Sequence, residues 1–381
     1  MKILNVIENI DEMTGGGATE RTRQLSFHLS NLGHDVTVLA TNYNLSASNI
    51  ASLGTAKLIA IPCLIKRFYV PLPLFWTINK AVKNADIVHL VSHWTIINVI
   101  VYVLLRIHKK PYIITPLGAL PIFGRSSLLK RLYNFAVGIA IVRKADICVV
   151  ATRDELPALS SYGVDESSVV HIPNGINEYD YFIKGDSSIS EEVGVLVKSP
   201  FILFIGRLNH IKGPDLLLKA FCMVKDSFPD IHLVYIGPDE GMLSSLQKTA
   251  SEFSLIERTH FLGWVSREQK AVILHNSLLL AIPSRQDAMS IVVLESGISG
   301  KPVVITDQCG FDEVAQIGGG LVVPATIDGI ALGLKEMLGD ESDLSSMGLN
   351  LQKLVKNDFL WSSSAKQYSF IFDQVIKRNM K

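Results

Sequence analysis

Net charge is the first thing this sequence lacks. Lys and Arg total 36, and so do Asp and Glu. No strongly basic field exists to hold a nucleic acid, so nucleic acid is not expected as the main partner, although local basic clusters are allowed. Cysteine is scarce. Cys63, Cys148, Cys222 and Cys309 stand far apart with no Cys-x-x-Cys pair, which suits reduced, mostly buried thiols in a cytosolic protein. No apolar run reaches the roughly 20 residues of a bilayer span; the longest, 95–105, is broken by Asn98. The opening MKILNVIENIDEM is too short in its apolar part for a signal peptide and is interrupted by Asn5, Glu8 and Asn9, so it reads as a first strand. Two phosphate-binding signatures are missing as well. G-x-x-x-x-G-K-[ST] is absent, which excludes a Walker loop. The G-x-G-x-x-G spacing is absent too, and Thr41 and Asn42 stand where a dinucleotide fold ends its second strand in an acid. An NAD enzyme is therefore disfavoured.

What is present points to two medium-sized domains. The 381 residues are 48% apolar, with a mean hydropathy of +0.30, enough for a core in each half. Strand and helix signals alternate, the pattern of a doubly wound parallel sheet. Strands are expected at 3–7, 36–40, 87–90, 112–115 and 147–150, and again at 201–205, 232–236, 278–282 and 303–306. Helices are expected at 21–31, 215–228 and 242–252. The break falls after HIPNGI (171–176), in the polar stretch up to Pro200. The segment 128–144 (LLKRLYNFAVGIAIVRK) mixes apolar residues with Lys130, Arg131, Arg143 and Lys144. It fits either a helix lying on an anionic membrane surface or a buried core helix with charged ends.

Three motifs could carry chemistry. Thr14-Gly15-Gly16-Gly17 reads as a turn between the first strand and a helix, where glycine lets backbone approach a ligand and the helix N-terminus favours an anion. Arg21 and Arg23, close by, read as two solvated surface arginines; an anionic ligand is the alternative. The second motif, Gly206-Arg207-Leu208-Asn209-His210-Ile211-Lys212-Gly213-Pro214, joins a buried strand to an amphipathic helix. There Arg207 and Lys212 would reach into a crevice at the C-terminal sheet edge. Each charged contact to a phosphate is worth about 1.5–3 kcal/mol. In the third, PSRQDAMSIVVLE (283–295), seven residues separate Asp287 from Glu295. Ser290 is the expected N-cap of a helix over 291–299, ended by Gly300 and Pro302. The amides of Ala288, Met289, Ser290 and Ile291 would lie between two carboxylates. Amides suit phosphate and carboxylates accept from paired sugar hydroxyls, which together describe a nucleotide-sugar site.

At this point the chain resembles the retaining glycosyltransferases of family 4, with the GT-B fold. The residues that carry the resemblance are GRLNHIKG, the acid-x7-Glu element in PSRQDAMSIVVLESGISGKPVV, IPNGI and FLGWVS, followed by Glu313, Gly319-Gly320 and Trp361. The first half is similar more loosely, through MKIL, the glycine turn, NLGHDVTVLA, DIVHL and PYIITPLGAL. The resemblance implies an α/β chain of two Rossmann-like doubly wound parallel-sheet domains facing a central cleft. An acceptor-binding domain would span 1–176 and be completed by a C-terminal helix 362–381; a nucleotide-sugar domain would span 177–361. Arg207 and Lys212 would hold the donor diphosphate, with Gly16 and Gly17 closing over it. Glu295 would bind the ribose hydroxyls, Asp287 would orient the donor sugar, and Gly263, Trp264 and Val265 would meet the base. His93 and Gly118 would lie on the acceptor or sugar side. No metal and no cofactor are implied, since the arginine, the lysine and helix amides neutralise the leaving diphosphate.

The sequence departs from the family pattern in two places. Asp287 stands where the first acid is usually Glu, with Ala288 and Ser290 replacing glycines after it. Leu117 stands where many relatives carry a sugar-contacting His, which makes His93 the candidate substitute. The expected activity is transfer of a sugar from a UDP- or GDP-linked donor to a sugar or lipid-linked acceptor in surface polysaccharide or glycolipid assembly. The expected place is the cytoplasm, at the inner face of an anionic cytoplasmic membrane. A nucleotide-sugar epimerase of the same fold and a non-catalytic partner protein are the alternatives.

Overall fold

The structure, a computed structural model, describes residues 1–122, 127–181, 194, 198–287, 289–339 and 341–380, with backbone alone at 12–16 and 341–343. The chain divides into two compact units: Met1–Asn174 with Trp361–Lys381, and Gly175–Leu360.

The first unit is built on β1 (Lys2–Val6), β2 (Asp35–Thr41) and β3 (Lys57–Ile61), a small antiparallel hairpin β4 (Cys63–Ile65) and β5 (Val70–Pro71), and then β6 (Ile87–Val91), β7 (Tyr112–Thr115), β8 (Ile147–Val150) and β9 (Val169–His171). Seven strands pair in parallel in the order β3-β2-β1-β6-β7-β8-β9. Strands such as Ile87–Val91 are buried along their whole length, which is why they read as unbroken apolar runs. Alternate residues serve opposite faces. Leu4, Val88, Leu90 and Ile114 pack under the helices Phe75–Asn84, Ile96–His108 and Ile139–Arg143. Ile3, Val36, Ile87 and Ile113 pack under Glu12–Asn31 and the last helix, Trp361–Asn379.

A thread of buried polar groups ties this unit together. Asn5 Nδ2 donates to Ser26 Oγ at 2.8 Å, and Asn5 Oδ1 is 3.2 Å from His89 Nδ1. His89 Nε2 lies 2.7 Å from Thr115 Oγ1, which is 3.0 Å from the Tyr368 hydroxyl. Arg21 completes the thread, donating to Tyr368, to the Ile172 carbonyl and to Asn174 Oδ1. Its guanidinium also lies over the Trp361 and Tyr368 rings, at 5.8 and 5.6 Å.

Several sequence expectations need correction. Gly15, Gly16 and Gly17 are not a turn but lie inside the helix Glu12–Asn31, which begins earlier than residue 21. Just before the helix Asp11 N donates to Asn9 Oδ1, and Thr19 Oγ1 within it donates back to the Asn9 carbonyl, contacts that hold the first turns against the poor helix propensity of glycine. Arg21 and Arg23 therefore sit in the helix interior and are buried; Arg23 donates to Ser52 Oγ and pairs with Glu20 at 3.1 Å. The segment 128–144 is not a buried core helix. It forms Ser127–Tyr133, a π-helical turn Asn134–Gly138 and Ile139–Arg143, and only Gly138, Ile141 and Val142 of it are buried. Leu128, Leu129, Leu132 and Phe135 face solvent. Among the described residues no helix is long and apolar enough to cross a membrane.

The second unit carries β10 (Phe201–Ile205), β11 (His232–Ile236), β12 (Thr259–Phe261), β13 (Leu279–Ile282), β14 (Val303–Thr306) and β15 (Gly320–Val323), all parallel, in the order β12-β11-β10-β13-β14-β15. Helices Pro214–Val224 and Ile327–Gly339 cover one face, while Ile291–Ile298 and Glu341–Asp358 cover the other. In both units the strand order reverses beside the first strand, at β1/β6 and at β10/β13. Such a switch point opens a crevice at the carboxyl ends of the two strands.

Burial holds His89 down to about 3, with Arg21 adding to the effect. Burial likewise holds His93 down to about 4, partly offset by its bond to Asn134. Both rings are neutral when folded, so below their ordinary pKa of about 6.5 the unfolded chain takes up protons that the folded chain refuses. Their contribution is complete above about pH 6.5 and is lost as pH falls toward 4, by up to about 1.4 kcal/mol per pH unit for each ring. Urea unfolding between pH 7 and 5 should show this slope, and His89→Gln should reduce it; a flat profile contradicts the neutral buried rings.

Candidate functional site

All four loops that follow β10, β11, β12 and β13 emerge at one edge of the second sheet. The first runs Gly206 to Gly213, and two contacts fix its path: Gly206 N donates to the Ile236 carbonyl and Leu208 N to the Pro238 carbonyl. Gly213 caps the helix Pro214–Val224 with φ 66°. A Cβ there would overlap the Pro283 carbonyl oxygen, so only glycine allows this loop to lie against the one after β13. Polar bonds stitch the two loops further. Arg285 N donates to the Ile211 carbonyl at 2.7 Å, and the Arg285 guanidinium grips Asp215 with two bonds of 2.9 and 2.7 Å. Burial alone would raise the Asp215 carboxyl, but the Arg285 fork outweighs it and holds Asp215 below the ordinary carboxylate range.

Arg207, Lys212 and Asp287 come together on this edge. Lys212 Nζ donates to Asp287 Oδ2 at 2.6 Å, and Asp287 N donates to the Gln308 carbonyl. Arg207 reaches Glu240, in the loop after β11, at 3.0 Å, and Asn209 Nδ2 binds the same carboxylate at 2.8 Å. The Arg207–Glu240 pair is exposed and screened by water, so it is weakly held. A phosphate group would displace the Glu240 carboxylate at little cost and receive the planar fork of Arg207 instead.

Glu295 lies in the second turn of Ile291–Ile298 and is only 9% exposed. Its Oε1 accepts from Lys270 Nζ at 2.8 Å, whereas Oε2 is buried with no hydrogen-bond partner. A buried polar atom left unsatisfied costs about 1–3 kcal/mol, and a charged one more. Ser290 sits at the N-cap position without forming a side-chain cap, contrary to expectation, and its buried Oγ is likewise unpartnered, as is that of Ser284. Such oxygens are ones that ligand hydroxyls or phosphates can satisfy. Met289 is partly buried against the core, Ile291 begins the helix, and Ala288 lies outside the described residues. Gly263 turns the chain after β12 with φ 64°, and its carbonyl accepts from Gly237 N. Trp264 next to it is exposed, and Val265 packs into the core.

The first-unit candidates lie in another sheet. His93 follows β6 at the switch point but is wholly buried, with its ring among Trp94, Tyr133 and Tyr162 and Nε2 3.1 Å from Asn134 Oδ1. Leu117 and Gly118 both take left-handed backbone (φ 54° and 70°), and Gly118 N donates to Glu155 Oε2. Gly17 borders open space. Among the described residues no group of three or more His, Cys, Asp or Glu side chains is placed to hold a metal ion.

Sequence reasoning missed Glu240, Lys270 and Tyr181. The Ser266–Gln269 capping box fixes the start of Arg267–Asn276 and so the placement of Lys270 one turn in. Its pairing with a carboxylate 25 residues away has no sequence signal. Tyr181 lies under Lys270 Nζ, 5.6 Å from the ring centre. Burial, and then the Glu295 carboxylate with which it hydrogen-bonds, push its hydroxyl well above the ordinary phenol range.

The sequence profile of Glycosyltransferase Family 4 matches residues 15–179, and that of Glycosyl transferases group 1 matches residues 186–354. The D-inositol 3-phosphate glycosyltransferase of Nocardia farcinica is 28% identical over 238 residues, which cover 59% of this chain and 52% of that protein. The chain thus spans about half the length of that curated relative. The crystal structure of Anabaena Alr3699/HepE in complex with UDP superposes with a TM-score of 0.77 at 18% identity, covering 98% of this chain and all of the other. WaaG, a glycosyltransferase involved in lipopolysaccharide biosynthesis, superposes with a TM-score of 0.63 at 17% identity, covering 97% of this chain and 99% of WaaG. These superpositions show the fold. With two family profiles meeting on two parallel-sheet α/β units, the chain belongs to the family 4, group 1 glycosyltransferases of GT-B fold.

Proposed function

We propose that the protein moves a sugar from a UDP- or GDP-linked donor to an acceptor, with retention at the anomeric carbon and without a metal ion. The unpartnered Oε2 of Glu295, on the same sheet edge as the cations Arg207 and Lys212, is the observation that carries this reading. Glu295 takes the ribose hydroxyls, and the loop of Gly263, Trp264 and Val265 takes the base. Arg207 and Lys212 take the diphosphate and stabilise the charge that develops as the bond from sugar to phosphate breaks. Asp287, held by Lys212, orients the donor sugar. The departing phosphate oxygen accepts the proton of the acceptor hydroxyl while that hydroxyl bonds to the anomeric carbon on the same face. Family membership and the UDP bound by HepE support the donor class.

The first unit, 1–176 with the last helix, is assigned to the acceptor; Gly118 and the loop that carries His93 lie on the acceptor or sugar side. The acceptor is a sugar or a lipid-linked sugar of surface polysaccharide or glycolipid assembly, met at the inner face of the cytoplasmic membrane.

Lys212→Ala and Glu295→Ala should each lower turnover at least about tenfold, the loss expected when one charged contact goes, with the melting temperature retained. Asp287→Ala should impair transfer more than nucleotide binding. Full turnover in both of the first two variants would sink the site assignment. Proton NMR of the product should show the donor's anomeric configuration in the presence of EDTA; an inverted product, or EDTA-sensitive transfer, contradicts the mechanism.

A further inference from the structure

We propose that the first unit docks on an anionic lipid bilayer through the outer side of one helical layer. Charge is segregated along this neutral chain. Residues 36–145 carry thirteen Lys and Arg and a single acid, Asp86, whose Oδ2 is taken up by Lys2 N. Outside that stretch acids outnumber Lys and Arg, 35 to 23. The helices of this stretch that cover β6 and β7, Phe75–Asn84, Ile96–His108 and Ile139–Arg143, bury their inner residues in one shared core on one face of the sheet. Their outer side, with Ser127–Tyr133 and the π-helical turn before Ile139, exposes large apolar residues. Phe135 is 89% exposed, Trp76 83% and Leu128 77%; Phe75, Ile107 and Leu132 are exposed with them. Lys130 and Arg131 share the helix of Leu128 and Leu132.

Aliphatic side chains left in water on helices from a basic stretch of chain with one acid match a bilayer whose headgroups are negative and whose acyl boundary is apolar. A nucleic acid would satisfy the cations but would leave the leucines uncovered. The face gives the lipid-linked acceptor of the proposed function its surface, yet vesicle binding needs no transfer, so the two readings fail separately.

The test is co-sedimentation of the full chain with vesicles of phosphatidylcholine alone and of phosphatidylcholine mixed with phosphatidylglycerol. Each basic residue at an anionic surface is worth about fivefold in partition, so binding to the anionic vesicles should be at least about tenfold tighter and should fall with salt. Leu128→Ser with Phe135→Ser, and separately Lys130→Glu with Arg131→Glu, should each cost about tenfold or more at an unchanged melting temperature. Equal binding to both vesicle types, no binding to either, unimpaired variants, or tighter binding to duplex DNA than to anionic vesicles would each overturn the inference.

A separate observation in the second unit assigns a role to Lys270. It fixes one oxygen of Glu295 at 2.8 Å, while the other oxygen has no partner. Lys270 is itself held by its helix and over the Tyr181 ring. We infer that Lys270 is a positioning residue that keeps the free oxygen of Glu295 directed at the ribose; this rests on the donor reading above. Binding of UDP and 2′-deoxy-UDP, and of GDP and 2′-deoxy-GDP, is compared by calorimetry. For the base that binds, the wild type should lose about tenfold without the 2′-hydroxyl. Lys270→Met should lose that discrimination while the chain remains folded, at a lowered melting temperature because the Glu295 carboxylate loses its partner, and Lys270→Arg should restore both. A Lys270→Met chain that still discriminates overturns this inference alone. A wild type that does not discriminate overturns the ribose role of Glu295 and this inference with it.

Discussion

The close approach of Gly213 to the Pro283 carbonyl is the contact on which the second unit's edge depends. Two loops separated by about seventy residues of chain can share one surface only if neither backbone is held off by a side chain. Because Gly213 offers none, Arg285 can reach back to the Ile211 and His210 carbonyls and to Asp215. Lys212 and Asp287 then meet at 2.6 Å. With a Cβ at residue 213 the loops would separate, and Arg207, Lys212 and Asp287 would no longer face one crevice. The parallel sheet puts both loops at the same edge; glycine lets them touch.

That edge is charged but balanced. Arg207 pairs with Glu240, Lys212 with Asp287, Lys270 with Glu295 and Arg285 with Asp215. The pairs differ in exposure, and exposure decides their use. Arg285 and Asp215 are mostly buried and doubly bonded, so they brace the loops. Arg207 and Glu240 are open to water and weakly held, which leaves the arginine available to an incoming phosphate. Glu295 is held by Lys270 and has the Tyr181 hydroxyl against it, yet its buried Oε2 has no hydrogen-bond partner, the most direct sign in the unit of a missing hydroxyl-bearing ligand.

Much of this was legible in the sequence. Unbroken runs such as Phe201–Ile205 and Val303–Thr306 announce strands buried on both faces, and the motifs at 206–214 and 283–295 fall on the loops that follow β10 and β13. Short strands such as Thr259–Phe261 and Gly320–Val323 gave weaker signals. The three glycines at 15–17 misled because glycine's local preference for turns lost to a helix that already runs from Glu12 and is tied by Thr19 to the Asn9 carbonyl. Arg21 and Arg23 look like surface residues in any composition argument; only the fold reveals the Ile172 carbonyl, Asn174 and Tyr368 waiting for Arg21. Lys270 and Glu240 were invisible for the same reason, since their partners lie on other loops.

The two units divide the physics between them: the first buries a polar thread on one face of its sheet and carries a basic, apolar outer layer on the other, and the second exposes paired charges at a sheet edge. The central claim is that this edge binds a nucleoside diphosphate through protein cations. The most direct measurement is the melting temperature of the purified chain with UDP, GDP and ADP, each with EDTA present. The account predicts stabilisation by UDP or GDP that survives EDTA and is reduced in Glu295→Gln. No shift with any nucleotide, or a shift that EDTA abolishes, would contradict it.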